Sequence, residues 1–282
     1  MYCPIFFVVF WLLNPFFNQG LQADRGLYTR FPNMPRVQSN KQTEIDLTPY
    51  EKKVYSQNGE DGVIHKIFEI IGTSTKDFVE FGVEGGEECN TRFLREKMGW
   101  KGLMMDGNSY NPFINLQNEF ITAENINSLF QKYQVPYDFD LLSIDIDYND
   151  FYVWNAIDEN YKPRVVVVEY NASHLPNEDK IVLYNPSTMW DGTNYCGASI
   201  LALFKLGRKK GYSLVYVENR GVNLFFIRDD IIADKELRFK NINDVEQLYK
   251  RANYGTGPRG GHVQDPYNRI YISADEVLLS EV

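Results

Sequence analysis

Three glycines behind a short apolar stretch have the spacing of a ligand-binding turn. Gly82, Gly85 and Gly86 follow residues 77–81, whose apolar character predicts a β-strand. A second apolar stretch ends on Asp106, 20 residues after Gly86. A strand, glycine turn, helix, strand and acid in this order hold a nucleoside in parallel α/β domains, because the glycines let backbone approach the ligand and the acid accepts hydrogen bonds from ribose hydroxyls. The alternatives are a plain tight turn and, for Asp106, an Asp-Gly turn residue.

Carboxylates around this turn restrict the kind of nucleoside. Glu80, Glu84, Glu87 and Glu88 lie in or beside it, and they would repel the pyrophosphate of a dinucleotide. A cofactor without phosphate and with a positive centre suits them better. The residues therefore predict binding of S-adenosyl-L-methionine.

Four side chains with oxygen ligands lie at or just beyond the ends of two later apolar stretches. Asp145 and Asp147 end one predicted strand, and Glu169 and Asn171 lie at the end of the next. The carboxyl ends of parallel strands meet at one edge of a sheet, where ligands bind, and such oxygens are suited to Mg²⁺ or Mn²⁺. A divalent ion would lower the pKa of an acceptor hydroxyl. The alternative is a metal-free site in which Asp145 binds the methionine amine or the acceptor.

His174 follows Asn171 by three residues on the next loop. A histidine with a pKa near 6.5 can serve as a general base, so His174 and Asp145 are the candidate catalytic residues. An exposed loop histidine is the alternative for His174. Residues 171–173 also form a glycosylation sequon, which we interpret as accidental if Asn171 lines the site.

Two loops add candidate contacts to a ligand. Tyr184, Trp190 and Tyr195 lie among prolines and glycines and could stack on a sugar face or simply pack their own loop. Glu124 or Asn125, after the third predicted strand, could contact an adenine.

Helical and strand-like stretches alternate along most of the sequence. The order predicts an α/β fold whose mostly parallel sheet has an antiparallel edge strand. It resembles the order of a Rossmann-like class I methyltransferase, which implies a three-layer sandwich. The predicted helices are 59–71, 88–98, 126–133, 150–159 and 198–210. The predicted strands are 77–81, 102–105, 120–123, 140–146, 164–169, 214–218 and 223–227, with a short one at 269–272.

Composition excludes some classes of partner. The 282 residues are 44% hydrophobic and 15% aromatic, which is enough for a sizeable core. A formal net charge of −9 argues against nucleic acid as a partner. Apart from Cys3, the cysteines are Cys89 and Cys196; their spacing fits no zinc site, and it leaves open whether they pair.

The N-terminal residues predict targeting to the secretory pathway, either secretion or the lumen of the Golgi or endoplasmic reticulum. Residues 1–23 are predicted to be a signal peptide or short signal anchor, because the apolar run 5–17 is short for a membrane span. Only an uncleaved anchor would contact a membrane. We expect a stem over 24–50, a methyltransferase-like domain over 51–245 and a C-terminal extension over 246–282, and the oligomeric state stays open.

Several short stretches resemble the FkbM-type group of class I S-adenosylmethionine-dependent methyltransferases, which methylate hydroxyls of sugars and polyketides. The resemblance extends over residues 52–230. It departs from the family at Asp147-Tyr148, where a Glu-Gly pair is common, and at 106–108, where Glu or an acid followed by Pro is usual. The stretches are Ser-Gln-Asn-Gly-Glu-Asp at 56–61, Val-Glu-Phe-Gly at 79–82, Asn-Thr at 90–91, Gly-Trp-Lys-Gly at 99–102 and Leu-Ser-Ile-Asp-Ile-Asp at 142–147.

The resemblance implies further cofactor contacts. Glu80 would lie near the amino-acid part of the cofactor, and Gln57 and Asp61 would face the same site. For Asp61 the alternative is stabilisation of the N-terminus of the following helix. The cofactor-binding set is then Gln57, Asp61, Glu80, Gly82, Gly85, Asp106 and Asp145.

The function expected from this pattern is O-methylation of a glycan or another small hydroxyl acceptor. A glycosyltransferase is the second possibility, because residues 145–147 form an Asp-Ile-Asp triplet behind a leader and stem. A secreted protein that keeps the fold without catalysis is the third.

Overall fold

A seven-stranded sheet organises residues 44–280, the part of the chain that this computed structural model describes. The predicted leader and residues 24–43 of the predicted stem lie outside the described residues. The strands are β1 (Asp77–Phe81), β2 (Lys101–Asp106), β3 (Leu116–Asn118), β4 (Leu141–Ile144), β5 (Val165–Glu169), β6 (Ile181–Val182), β7 (Tyr212–Val217), β8 (Asn223–Arg228) and β9 (Tyr271–Ile272).

The strand order of the large sheet is β3-β2-β1-β4-β5-β8-β7. The first five strands of that order are parallel, and β8 runs antiparallel to both β5 and β7. Chain order reverses between β1 and β4, since β2 and β3 lie on one side and β5 on the other. At such a reversal a crevice opens beyond the carboxyl ends of the strands.

Helices cover both faces of the sheet, as the apolar residues on both faces of β4 and β5 require. One core contains residues of α3, α4, α5, α7 and α8, and the other contains residues of α1, α2 and α6. The predicted α/β three-layer sandwich is therefore confirmed. The helices are α1 (Glu60–Ile71), α2 (Arg92–Met98), α3 (Ile126–Lys132), α4 (Asp150–Ala156), α5 (Ile200–Lys209), α6 (Asp229–Asp234), α7 (Val245–Leu248) and α8 (Ala274–Leu279).

The third strand is not where the sequence predicted it. The prediction over 120–123 is wrong, and β3 comes four residues earlier, at Leu116. Asn115 adopts a left-handed conformation with φ 55°, which turns the chain so that Leu116 enters the core and pairs with Met104. Phe120 and Ile121 instead line the cleft described below.

Both predicted domain boundaries are displaced. Ile45 forms a bridge to Phe239, and Leu47 is buried, so the end of the predicted stem belongs to the domain. The predicted C-terminal extension contributes Leu248 and Ala252 to the core. Its strand β9 pairs antiparallel with β6. Residues 44–280 lie within one compact unit.

None of the helices within residues 44–280 combines the length and apolar character that a membrane span requires.

Gly82 fixes the geometry at the reversal of strand order. It follows β1 with φ 68°, and its N–H donates to the carbonyl of Met105 at the end of β2 at 3.0 Å. A Cβ added at Gly82 would lie 1.6 Å from the carbonyl oxygen of Asp145, just beyond β4. Only glycine lets these strand ends approach one another so closely.

We expect Gly82→Ala to destabilise the fold more than an alanine at a matched glycine. Gly99 has φ 69° with nothing within 4 Å of an added Cβ, so Gly99→Ala should cost only the left-handed backbone penalty of about 1–2 kcal/mol. Gly82→Ala adds overlap with the backbone, for a total loss of roughly 3–5 kcal/mol. Urea unfolding of both variants measures the difference, and equal losses would contradict the close approach.

Candidate functional site

A cleft of about 940 Å³ opens at the carboxyl ends of β1, β2, β4 and β5. The segments after these strands form its floor, and loops near Trp190 and His262 border it. Of the predicted site residues, it brings together Gln57, Glu80, Gly82, Asp106, Asp145, Asp147 and Glu169. Gly85, Asp61, Asn171 and His174 do not line it.

Asp106 bridges two turns on the β2 side of the cleft. Its carboxylate accepts hydrogen bonds from the backbone N–H of Glu84 at 2.9 Å and of Asn108 at 2.8 Å. The second bond is the turn contact that the sequence offered as the alternative for Asp106, and the first ties the glycine turn to β2. An ionised carboxylate has about four acceptor positions, so Asp106 retains capacity for a ligand.

Glu80 is an anchor of the loop before α2. Its buried carboxylate accepts hydrogen bonds from the N–H of Asn90 at 2.7 Å and from the N–H and hydroxyl of Thr91. Burial nevertheless raises the pKa of Glu80, against the effect of these bonds. Glu80 lines the cleft, but its carboxylate is held on the Asn90–Thr91 side.

The prediction that Asp61 faces the cofactor is wrong. Its carboxylate accepts the backbone N–H groups of Val54, Tyr55 and Ser56 at 2.6–2.8 Å, and it is buried. All three amides bond the same carboxylate oxygen, the other oxygen has no hydrogen-bond partner, and Asp61 does not line the cleft. Asp61 thus fixes the loop that carries Gln57, which does line the cleft.

Three carboxylates gather on the floor of the cleft. One oxygen each of Asp145, Asp147 and Glu169 lies within 4.8 Å of the others. Parallel pairing of β4 and β5 sets Ile144 opposite Val168, which places Asp145 and Glu169, the next residues, side by side. Asp147 has φ 66°, a conformation that aspartate tolerates better than most residues.

Burial and mutual repulsion oppose ionisation of this group. The pKa of Asp145 is raised well above its usual range by burial and by the charges of Asp147 and Asp150. The pKa of Glu169 is raised by burial and by the charges of Asp145, Asp150 and Asp147. Burial also raises the pKa of Asp150 from 3.8 to about 7. The cleft floor therefore favours bound protons or a bound cation.

Asn171 cannot join these carboxylates as predicted. Its amide donates to the carbonyls of Asn194 at 2.7 Å and Cys196 at 2.9 Å, and its side-chain oxygen accepts the N–H of Ser173. These bonds hold the long loop after β5 against the domain. The residue is buried, so its side chain is also inaccessible as a glycosylation site in the folded domain.

The prediction of His174 as the catalytic base is wrong as well. The imidazole is buried against Tyr271, at 4.7 Å between ring centroids, and it does not line the cleft. Burial, with the charge of Lys180, lowers its pKa to about 4. The ring contact with Tyr271 in β9 joins residues 97 positions apart, which the sequence spacing could not show.

The C-terminal segment supplies cleft residues that sequence reasoning missed. His262 is half-buried in the cleft wall, with its ring 4.4 Å from Trp190 and 5.4 Å from Tyr254 between centroids. Burial lowers its pKa. Tyr254 also lines the cleft, and burial and the charge of Glu169 raise its pKa. The glycines between 255 and 261 were the only signal in the sequence for such a loop.

Of the residues predicted to stack on a sugar or to contact an adenine, one lines the cleft and the others do not. Trp190 lines the cleft. Tyr184 lies outside it, and its hydroxyl bonds Glu124 at 2.5 Å. Neither Glu124 nor Asn125 reaches the cleft. Tyr195 is buried, and its hydroxyl donates to the carbonyl of Ile270.

Cys89 and Cys196 are both buried and both free thiols. The question of their pairing, which the sequence left open, is thereby answered for this structure.

Comparison with known proteins adds little to this geometry. No family model matches the chain, and no curated protein matches it. Among solved structures, the crystal structure of TnmH matches with a TM-score of 0.33 and 13% sequence identity, over 60% of this chain and 56% of that chain. A match at this level identifies neither a family nor an activity.

We expect the stability of the metal-free protein to fall as pH rises from about 4 to about 7. Asp150 has its folded pKa raised from 3.8 to about 7, so above pH 3.8 the unfolded chain loses a proton that the folded chain retains until about pH 7. Asp150→Asn should reduce this slope by at most about 1.4 kcal/mol per pH unit. Urea unfolding in EDTA at several pH values tests this, and an unchanged slope would show that Asp150 titrates normally.

Proposed function

We propose that this chain is an S-adenosylmethionine-dependent O-methyltransferase of the FkbM type. The observation that carries the proposal is one cleft at the reversal of strand order that has the Gly82 turn and Asp106 on its β2 side and three carboxylates on its floor. The β2 side suits a nucleoside, and the floor suits a hydroxyl that must lose a proton.

The charge of the cleft supports this cofactor over a nucleotide sugar. Of the residues that line it, eight are acidic, and Arg220 is the only lysine or arginine among the described lining residues. A sulfonium and an α-ammonium group are attracted to such a surface, whereas a diphosphate is repelled. The acids are Glu80, Glu84, Glu88, Asp106, Glu119, Asp145, Asp147 and Glu169.

Unpartnered polar atoms also point to a ligand. The side-chain oxygen of Asn223 is buried and makes no hydrogen bond, although Asn223 lines the cleft. Such a group costs free energy unless a ligand or water satisfies it. Asn223 lies at the start of β8, beside Glu169, so a ligand bound there would lie above the centre of the sheet.

The chain's own residues can orient the acceptor and take its proton. In the proposed reaction the cofactor supplies the methyl group, and the acceptor oxygen must lie in line with it. His262, with its lowered pKa, is neutral near pH 7 and can accept the hydroxyl proton. The adjacent face of Trp190 offers an aromatic surface for a sugar or another ring.

The setting that we propose is the secretory pathway, with a glycan or another small molecule as the acceptor. The apolar run in residues 5–17 supports it. A glycosyltransferase using Asp145 and Asp147, and a protein without catalysis, remain the alternatives that the first experiment below separates.

We expect S-adenosylhomocysteine to bind the purified protein and UDP-sugars not to bind. Asp106→Asn should weaken binding by about 1.5–3 kcal/mol, because a charged acceptor to the ribose is lost. Asp158→Asn, an exposed aspartate outside the cleft, serves as the control for the charge change. Isothermal titration calorimetry measures all three proteins.

Binding of a UDP-sugar without any response to S-adenosylhomocysteine would favour the glycosyltransferase. If Asp106→Asn and wild type bind S-adenosylhomocysteine with equal affinity, Asp106 stabilises the turn and does not bind the cofactor. Binding of neither ligand would leave a fold without this chemistry.

We expect His262→Gln to lower turnover about 10²–10⁴-fold, since glutamine cannot accept the proton. His174→Gln should leave turnover within about twofold of wild type, because His174 is buried outside the cleft. Transfer of tritiated methyl to catechols and methyl glycosides measures both variants, and melting temperatures check folding. A larger loss in His174→Gln than in His262→Gln would contradict the assignment.

A further inference from the structure

The carboxylates on the cleft floor have no lysine or arginine partner among residues 44–280. None of Asp145, Asp147, Asp150 and Glu169 forms an ion pair with a lysine or arginine among the described residues. In place of a cation, each of these three carboxylates, Asp145, Asp147 and Glu169, has the other two as neighbours, with an oxygen of each within 4.8 Å of the others. Asp145 and Glu169 are half-buried, Asp147 is exposed and Asp150 is fully buried. Like charges this close together are costly without a counter-charge, and the described residues supply none.

Two buried polar atoms at the same place are also unsatisfied. One oxygen of the Asp150 carboxylate makes no hydrogen bond, and Asp150 is fully buried. The charge of Asp150 raises the pKa of Asp145 and of Glu169, so the groups are close together. The side-chain oxygen of Asn149 is likewise unpartnered and buried, and Asn149 lines the cleft. The other half of each group is fixed: Asp150 accepts the N–H of Ile146, and the Asn149 amide donates to the carbonyl of Asn185. Both groups are thus held in place, Asp150 close enough for its charge to act on Asp145 and Glu169, and Asn149 in the lining of the same cleft.

The spacing of the three carboxylates suits a metal ion. Their oxygens lie within 4.8 Å of one another, and opposite ligands of Mg²⁺ or Ca²⁺ are separated by about 4–5 Å, twice the usual metal–oxygen distance. We propose that Asp145, Asp147 and Glu169 bind one divalent cation on the floor of the cleft.

The ligand chemistry selects the ion. The cluster offers only carboxylate oxygens and includes neither histidine nor cysteine among the described residues. Oxygen-only sites favour Mg²⁺ or Mn²⁺ over Zn²⁺. Ion binding follows from the carboxylates alone; its use in lowering the pKa of an acceptor hydroxyl rests on the proposed function.

Titration of the full chain with Mn²⁺, followed by electron paramagnetic resonance of the free ion, tests the site. Wild type should bind one equivalent, and Mg²⁺ should displace it. Asp145→Asn, Glu169→Gln and Asp147→Asn should each raise the dissociation constant at least about tenfold, since a charged ligand is removed. Asparagine at 147 accepts the left-handed backbone as well as aspartate does, so that variant changes charge without adding strain.

Glu88→Gln is the matched control. Glu88 lines the same cleft but pairs with Lys53 at 2.9 Å, so its loss should change the dissociation constant less than about twofold. Absence of saturable Mn²⁺ binding by wild type overturns the proposal. Equal weakening by Glu88→Gln and Asp145→Asn also overturns it, because a diffuse negative field would then hold the ion.

Thermal unfolding supplies a second measurement that does not require Mn²⁺. Millimolar Mg²⁺ should raise the melting temperature of wild type. In EDTA, Asp145→Asn should melt no lower than wild type, because it relieves repulsion, and Mg²⁺ should not raise its melting temperature. Calorimetry with S-adenosylhomocysteine on the same samples separates the two proposals. Binding of S-adenosylhomocysteine without the ion would overturn only the metal site, and binding of the ion without S-adenosylhomocysteine would overturn only the proposed function.

Discussion

The approach of two strand ends at Gly82 is the constraint on which the cleft depends. The Asp145 carbonyl occupies the space of a side chain at Gly82, and the Gly82 N–H is bonded to Met105. One residue thereby sets the relative positions of the ends of β1, β2 and β4. The chain must turn away from the sheet on both sides of this point, and the cleft is the space that the diverging turns leave.

Carboxylates in the interior and on the cleft floor fall into two groups, which differ in their partners. Asp140 accepts the N–H groups of Ser74, Thr75 and Lys76 and pairs with Arg164 at 3.1 Å. Asp61 is held by three converging amides in the same manner. Such acids replace the hydrogen bonds of water with those of a loop and so fix its shape.

The cleft acids lack that compensation. Asp145 and Glu169 are neighbouring carboxylates, and Asp150 accepts one backbone N–H, that of Ile146. The repulsion among them is present in the folded state and absent in the unfolded chain, where they lie far apart on average. The folded state tolerates this repulsion because β4 and β5 are buried on both faces. Packing of the sheet therefore fixes the positions of these residues. Where a structure keeps such a cost, a ligand that relieves it is the natural explanation.

The sequence predicted the sheet far better than it predicted the directions of side chains beyond the strands. Strands such as β4 and β5 are buried on both faces, so their apolar runs identify them without further information. Asp145 and Glu169 end those runs directly, and their meeting followed from parallel pairing alone. Asn171 and His174 lie only two and five residues beyond Glu169, yet they turn into the domain, because the dihedral angles of an irregular loop decide orientation there.

Local sequence patterns failed to predict the positions of other residues for a different reason. Asp61 showed the pattern of a helix N-terminus, but its partners, residues 54–56, precede it in a loop with no periodicity. His262 reaches the cleft only because β9 pairs with β6 and Val263 bridges to Thr193, contacts between segments about 70–90 residues apart. Pairings at such separation have no signature in a window of neighbouring residues.

Two parts of the cleft lining consequently come from different stretches of the chain. The Gly82 turn, Asp106 and the loop held by Asp61 come from residues 51–121, folded around neighbouring strands and α1. The wall with Trp190, Tyr254 and His262 comes from irregular loops joined by the β6–β9 pair. Changes in those loops alter the wall without moving the ends of β1 and β2. The fold thus allows the wall with Trp190, Tyr254 and His262 to vary while the side with Gly82 and Asp106 stays in place.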